Sequence, residues 1–427
     1  MTEPGPGGTP DPLPARCEVL VVGAGPAGSA AARVLAQAGR DVLLVDQAGF
    51  PRDKVCGDAL IPDAHRVLER LGLLDRVLAE ALRVPAVRMR GPRGGEVAVP
   101  GRLAVLPRRR LDALLAGAAV EAGARLATPW RFVGTLEHGS RVVGARLAAR
   151  DGRPAAVEAR WTLLATGARP QALRDAGLAA ARGPSGVSMR AYLHHPEALA
   201  RWPMPSMFWH GALRPGYGWV FPGPGGVFNL GVYVTGRDAA GGARGALPSL
   251  HRLFERFVAL HPPVRALVDG GRWLGPFKGA PLRCSLRGAE AGRPGLWPIG
   301  EAAGSSYLLS GEGIGKALET GLLAAEALLA DGAAALALPP PGGAAGAADA
   351  AAERRRAAAW AALAPHYRAY ERGDLANRQP WLIDVLAWAV RRRPARLDTL
   401  AAILDERHVP QARPGPALLA RLLLGRR

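Results

Sequence analysis

Gly23, Gly25 and Gly28 stand in a G-x-G-x-x-G pattern within Cys17-Glu-Val-Leu-Val-Val-Gly23-Ala-Gly25-Pro-Ala-Gly28, a spacing that could cradle a pyrophosphate. The first glycine permits a tight turn, the second lets the backbone approach the phosphates, and the third lets a helix pack closely on a strand. The phosphates would then face a helix N-terminus, where unpaired N–H groups and the helix dipole favour negative charge. Asp46 lies 23 residues beyond Gly23, at the end of the apolar run Val42-Leu-Leu-Val45, and could accept hydrogen bonds from ribose hydroxyls. A plainer reading of Asp46 is a strand-end acid facing solvent. The glycine pattern alone is weak; its full strand–turn–helix–strand–acid setting makes the dinucleotide reading strong.

Those residues need elements to hold them. Val19 to Val22 reads as a buried parallel strand, an Ala-rich helix follows to Gly39, and a second strand ends at Asp46. A chain of 427 residues is too long for one ordinary core, so two cooperating domains and an extension are expected. No run reaches the roughly 18–20 apolar residues of a membrane span, and a cytoplasmic protein is expected. The net charge of +19 does not argue for nucleic acid, because only Lys54, Lys278 and Lys316 among the 55 basic residues are lysines. The arginines are scattered, as a compositional bias would leave them, and no nucleic-acid-binding signature accompanies them. Attraction to anionic lipid stays open. Cys17, Cys56 and Cys284 form neither a metal-ligand spacing nor a disulfide framework.

FAD and NAD are not separated by the fingerprint; later segments favour FAD. Pro107-Arg108-Arg-Arg-Leu-Asp112 resembles the R-x-x-x-D helix start of flavoproteins with the p-hydroxybenzoate hydroxylase fold. Leu296-Trp-Pro-Ile-Gly300-Glu301-Ala-Ala-Gly304 resembles their G-D-A-A-G segment, whose acid binds the ribityl chain; Glu301 stands where Asp is usual. Ser310-Gly311-Glu312-Gly313-Ile314-Gly-Lys316 reads as a glycine-rich helix start. Its free N–H groups could face the flavin's pyrimidine edge, where negative charge gathers on reduction. Glu312 serves either that site or the dipole of the helix's first turn.

Two further stretches narrow the resemblance. Phe50-Pro51-Arg-Asp-Lys54-Val-Cys56-Gly57-Asp58 is similar to the P-x-x-K-x-C-G-G/D segment of the geranylgeranyl reductase family. Tyr217-Gly-Trp219-Val-Phe221-Pro222, followed by Asn229-Leu-Gly231, resembles that family's Y-x-W-x-F-P…N-x-G strand pair. The likeness runs over about residues 17–330, in the family's order.

It implies a reductase in which non-covalently bound FAD delivers hydride to an isolated double bond of a prenyl chain, on a lipid or quinone, while a proton reaches the other carbon. Such an alkene has no carbonyl to polarise it, so the site needs a close donor and a dry, apolar slot. The resemblance implies a site role for Cys56, as donor or positioner, against the plainer reading of a small buried hydrophobe. Lys54 is a lysine where this chain otherwise uses arginine, as if a planar fork would not fit. Tyr217, Trp219 and Phe221 alternate, so they share one strand face, either a wall of the slot or ordinary core. Thr166 replaces the acid of an Asp-Gly pair that many hydroxylases of the fold link to pyridine nucleotide, which leaves NADPH and ferredoxin both open as electron donor. The competing function is a flavin monooxygenase of a hydrophobic small molecule.

The expected architecture is α/β: a Rossmann-type FAD-binding domain with an inserted, mainly antiparallel β substrate domain and a C-terminal helical extension. Residues 1–16 read as a flexible tail, 17–180 and 286–330 as the FAD-binding domain, and 181–285 as the substrate domain. Residues 331–350 read as a low-complexity linker and 351–427 as basic helices. Trp381 to Arg393 and Pro416 to Arg427 set apolar residues beside arginines, and could rest on a bilayer or cap the substrate domain. Oligomeric state is not legible.

Overall fold

The computed structural model describes residues 11–178, 184–236, 249–286, 292–330, 332, 336 and 347–409. The apolar run after Cys17 forms β1 (Arg16–Val22), whose residues 19–21 are fully buried. It pairs in parallel with β2 (Val42–Val45) on one side and β9 (Pro154–Leu164) on the other, with Val19 opposite both Val42 and Trp161. The sheet extends through β6 (Arg125–Ala127) beyond β2. Beyond β9 it continues through the antiparallel strands β8 (Arg141–Ala149) and β7 (Trp130–His138). The turn between β8 and β9 falls at Asp151-Gly152. A late strand, β16 (Leu296–Pro298), returns to pair in parallel with the end of β9. That return places Gly300 against Ala27 in the first turn of the helix that follows the glycine turn, although the whole second sheet lies between them in sequence.

Helix α1 (Pro26–Gln37) packs its alanines on this sheet, and α4 (Arg108–Glu121) and α8 (Ile314–Leu329) lie against α1. Small side chains allow the close approach. A Cβ on Gly321 would lie 2.1 Å from the Ala27 carbonyl oxygen, so α1 and α8 meet almost backbone to backbone.

The second sheet is mainly antiparallel. From one edge it runs β14 (Arg272–Trp273), β10 (Gly186–His194), β13 (Val227–Thr235), β12 (Gly216–Pro222) and β11 (Ser206–Phe208). It then continues through β4 (Leu82–Arg90) and β5 (Glu96–Val105) to β3 (Ala59–Leu60), and β15 (Lys278–Leu282) pairs with β10. The contact of β11 with β4 is parallel. Residues 59–60 and 82–105 therefore join the second sheet, which the division at residue 181 does not anticipate. Their alternating pattern reads equally well in either sheet, and only long-range pairing decides. Helices α6 (Leu250–Leu260) and α7 (Pro262–Gly270) cover one face of this sheet through Leu253, Phe254, Phe257 and Leu267.

Helix α9 (Ala347–Gly373) takes in the last four residues of the stretch read as a linker. Leu336, inside the same stretch, is buried. Helices α10 (Leu375–Arg378), α11 (Trp381–Arg392) and α12 (Arg396–Leu404) follow. Tyr370 of α9 stacks parallel on Tyr307 at 3.8 Å. Asp384 of α11 accepts hydrogen bonds from the Arg93 and Gly95 N–H groups in the β4–β5 turn, where a Cβ on Gly91 or Gly95 would strike its carboxylate. The tail also ends sooner than expected, since Asp11 exchanges backbone and side-chain hydrogen bonds with Thr128. Residues 1–10 and the basic stretch 416–427 lie outside the described residues. Among the described residues no helix is long and apolar enough to cross a membrane.

Asp349 near the start of α9 bridges Arg141 and Arg160, with all three side chains buried. Removing the shared carboxylate leaves two buried guanidiniums without it, a loss of about 3–5 kcal/mol. Asp349→Ala should lower the urea unfolding free energy by that amount; a change below about 1 kcal/mol would mean the bridge contributes little.

Candidate active site

The glycine fingerprint adopts the geometry its spacing calls for. Gly23 has φ +106°, and a Cβ there would sit 2.4 Å from the Ala165 carbonyl oxygen. A Cβ on Gly28 would lie 1.9 Å from the Gly23 oxygen, so that position is closed by helix–strand packing. Gly25 differs: its nearest neighbours would be the tips of Arg52 and Arg108, at 3.8 and 3.9 Å. It caps α1, with Pro26 in the first turn, and faces open space flanked by two guanidiniums. Backbone N–H groups, a helix N-terminus and two cations converge where a pyrophosphate would lie.

The acids beside this turn hold those arginines. Arg108 makes a two-pronged pair with buried Asp112, at 2.7 and 2.8 Å, which accounts for the R-x-x-x-D spacing as an i, i+4 ion pair. Arg52 bridges Asp112 at 3.0 Å and Asp46 at 3.3 Å. Asp46 also accepts the Ala24 and Ala48 N–H groups, at 2.9 and 3.0 Å, which fixes its carboxylate at the end of β2.

From this turn a cavity of about 640 Å³ runs to the face of the second sheet. Gly23, Gly25, Asp46, Lys54, Cys56, Arg108, Tyr217, Trp219, Glu301, Gly311, Gly313 and Ile314 all line it. Two glycines singled out in the sequence do not. Gly28 serves packing, and Gly300, at φ +60°, would drive a Cβ to 2.7 Å from the Ala27 methyl. At the far end, Gly311-Glu312-Gly313 leads into α8, so Glu312 stands just before the helix rather than in its first turn. Burial, reinforced by the charge of Asp63, pushes the Glu312 carboxyl up to about 8. Among the described residues, Glu312 Oε2 and the Thr166 hydroxyl are buried on the cavity wall without a hydrogen-bond partner, a need that a bound polar group would meet. The glycine floor, the paired arginines and these unmet polar atoms fit FAD laid along the cavity.

The aromatic face sits opposite. Strand register sets Tyr217 against Tyr233, Trp219 against Gly231 and Phe221 against Asn229. A Cβ on Gly231 would meet the Trp219 ring at 2.3 Å, so this glycine makes room for the indole. Tyr233 donates to the Leu308 carbonyl at 2.8 Å and Tyr217 to that of Ser310, which ties the wall to the turn that starts α8. Trp219 Nε1 donates to Asn229 Oδ1 at 3.0 Å.

One loop, residues 50–58, joins the two halves. Arg52 holds the nucleotide side, as described. Asp53 turns the other way, to buried Arg190 of β10 and to Lys278. Asp58, a non-glycine at φ +67°, accepts from Tyr192 Oη at 2.6 Å, Asn229 Nδ2 at 2.8 Å and the Arg108 N–H at 3.2 Å. Asn229 Nδ2 also donates to the Cys56 carbonyl at 2.7 Å. Burial pushes the Asp58 carboxyl up to about 6, against the pull of those donors. Burial raises the Cys56 thiol as well, which keeps the sulfur protonated, while the nearby charge of Arg108 works the other way.

Arg52, Asp53, Asp58, Tyr192, Arg190 and Tyr233 carry much of this arrangement without having been singled out from sequence. The N-x-G-x-Y alternation of residues 229–233 could have placed Tyr233 on the aromatic face, but nothing local points to Tyr192 or Arg190. Of the three lysines, Lys54 and Lys278 line the cavity, whereas Lys316 is buried in a cluster with Asp63, Glu319 and Glu406.

Residues 16–212 match the FAD binding domain model. The menaquinone reductase of Mycobacterium tuberculosis is 39% identical over 330 residues, covering 73% of this chain and 76% of that protein. The digeranylgeranylglycerophospholipid reductase 2 of Methanopyrus kandleri is 31% identical, over 72% and 76% respectively. In fold, a geranylgeranyl bacteriochlorophyll reductase-like protein of Thermoplasma acidophilum superposes with a TM-score of 0.64 at 21% identity, covering 96% of each chain. Sequence kinship over nearly three quarters of the chain, on a scaffold whose glycine turn, paired arginines and late strand return are all in place, places this protein in the geranylgeranyl reductase family of FAD-dependent oxidoreductases.

Proposed function

We propose that the protein saturates carbon–carbon double bonds in the prenyl chain of a lipid or quinone, with a prenylated quinone as the favoured substrate. The single observation that carries this is the continuity of one cavity from the glycine turn at Gly25 to the face of Tyr217, Trp219, Phe221 and Tyr233. An apolar, aromatic-walled slot suits an unpolarised alkene, which offers nothing for a charged site to grip. The names borne by the relatives, menaquinone reductase and digeranylgeranylglycerophospholipid reductase, agree with a substrate of this kind.

Bound and reduced, FAD supplies the hydride. The chain must orient the alkene, exclude water and deliver a proton to the second carbon. We assign orientation to Tyr217 and Trp219, and the proton to the Cys56 thiol, with Lys54 beside it at the cavity wall. Asn229 and Asp58 fix the loop that presents the thiol. Electrons must enter from NADPH or from a carrier such as ferredoxin, and comparing the two as reductants of the bound flavin separates them.

The product reports the reaction. FAD-loaded protein, reduced without oxygen, is incubated with menaquinone, and the ring is reoxidised in air before mass spectrometry. A retained gain of two hydrogens per saturated bond supports the proposal; a gain of oxygen in a parallel incubation run under air with a reductant means a monooxygenase, and an unchanged mass in both contradicts both. Cys56→Ala should lower turnover about a hundredfold with bound flavin undiminished, as expected for loss of a positioned general acid; undiminished turnover would remove that role. Gly25→Val meets no backbone, so the fold should persist. Its side chain takes the phosphates' space, and FAD affinity should fall about a hundredfold, roughly 3 kcal/mol. Retained affinity would place the nucleotide elsewhere.

A further inference from the structure

Helix α11 is apolar on both sides, and among the described residues one side carries its core packing, while Val385 and Trp388 on the other are half-buried. Ile383 packs with Trp209 and Tyr217 behind the aromatic wall, and Ala387 and Val390 pack on Val97 and Val99 of β5. At 100° per residue, Trp381, Val385, Trp388 and Arg392 fall within an arc of about 60° on the opposite side. Trp381 is 38% exposed, and the Trp388 ring carries the Arg392 guanidinium at 5.0 Å. Arg391, Arg392 and Arg393 are all exposed at the helix end. The only carboxylate of the helix, Asp384, is committed to the β4–β5 turn. The outward face therefore combines two tryptophans, a valine and Arg392, with Arg391 at its flank.

We propose that this face of α11 docks the protein on an anionic lipid bilayer. Tryptophans settle at the boundary between headgroups and acyl chains, and arginines beside them bind anionic headgroups. A helix is about 10–12 Å across, so a bilayer on this face would lie one helix width from the aromatic wall. Docking there would hold the protein at the membrane in which a prenyl lipid is dissolved. That purpose rests on the proposed prenyl-lipid reading, whereas the binding itself does not require it.

The test is co-sedimentation of the full, FAD-loaded chain with vesicles of phosphatidylcholine, with and without phosphatidylglycerol. Binding should require phosphatidylglycerol and weaken with added salt. Arg391→Gln with Arg392→Gln should reduce partitioning about twenty-five-fold, at about fivefold per arginine. Trp381→Ser should reduce it roughly tenfold, through lost burial in the interface. Both variants alter exposed positions and should keep bound flavin and melting temperature. Failure to bind anionic vesicles, or binding that both variants retain in full, would overturn the proposal. So would tight binding of an oligonucleotide that the arginine variant loses and Trp381→Ser leaves unchanged. Because these vesicles carry no quinone, the result stands apart from the product assay.

Discussion

The structure depends on a loop held from both sides by opposite charges. Residues 50–58 run between two sheets that share no strand, and the loop's ion pairs point alternately to each. Arg52 reaches back to Asp46 and Asp112 beside the glycine turn, while Asp53 reaches forward to Arg190 and Lys278 on the second sheet. Most of these groups are partly or wholly buried, so each charge needs its partner to offset the cost of leaving water. The pairs fix where the loop can sit and so fix where Cys56 can be. Asp58 completes the hold by spending backbone strain, at φ +67°, to meet Tyr192 and Asn229.

Two kinds of close packing surround that joint. On the nucleotide side, glycines and alanines bring backbones together, so that α1 touches both Gly23 and α8 and leaves its N-terminus open at Gly25. On the slot side the opposite device operates: one glycine, Gly231, opens room for a large ring, and the polar edges of Tyr217, Trp219 and Tyr233 are each satisfied by a specific acceptor. Satisfied edges leave the aromatic faces dry, which is what an unactivated alkene requires of its surroundings. The C-terminal helices add a backing layer, with Ile383 behind the wall and Asp384 gripping the β4–β5 turn.

What the sequence made legible was local. The glycine spacing, the Arg108–Asp112 interval and the alternation of Tyr217, Trp219 and Phe221 each encode geometry within one turn or one strand, and they form a tight turn, an i, i+4 ion pair and one strand face. What escaped was long-range. Residues 82–105 alternate as strands in any sheet would, and only their pairing beside β11 assigns them to the second one. Arg190 and Tyr192 look like ordinary strand residues until β10 lies across the 50–58 loop. Where helix begins after residue 331 was hidden for a related reason: an alanine-rich composition suits a spacer and a helix equally, and packing of α9 on α8 places Ala347 in the helix.

One cavity joins the glycine turn to the aromatic slot across the 50–58 loop. The most direct measurement is the difference spectrum of the bound flavin as FAD-loaded protein is titrated anaerobically with a prenyl alcohol, which has no ring absorption of its own. Joined sites predict a saturable shift of the flavin bands, as an apolar chain displaces water beside the isoalloxazine, and a loss of that shift in Trp219→Ala. Saturable binding by calorimetry with a flat flavin spectrum would contradict the account, because the chain would then be held away from the cofactor.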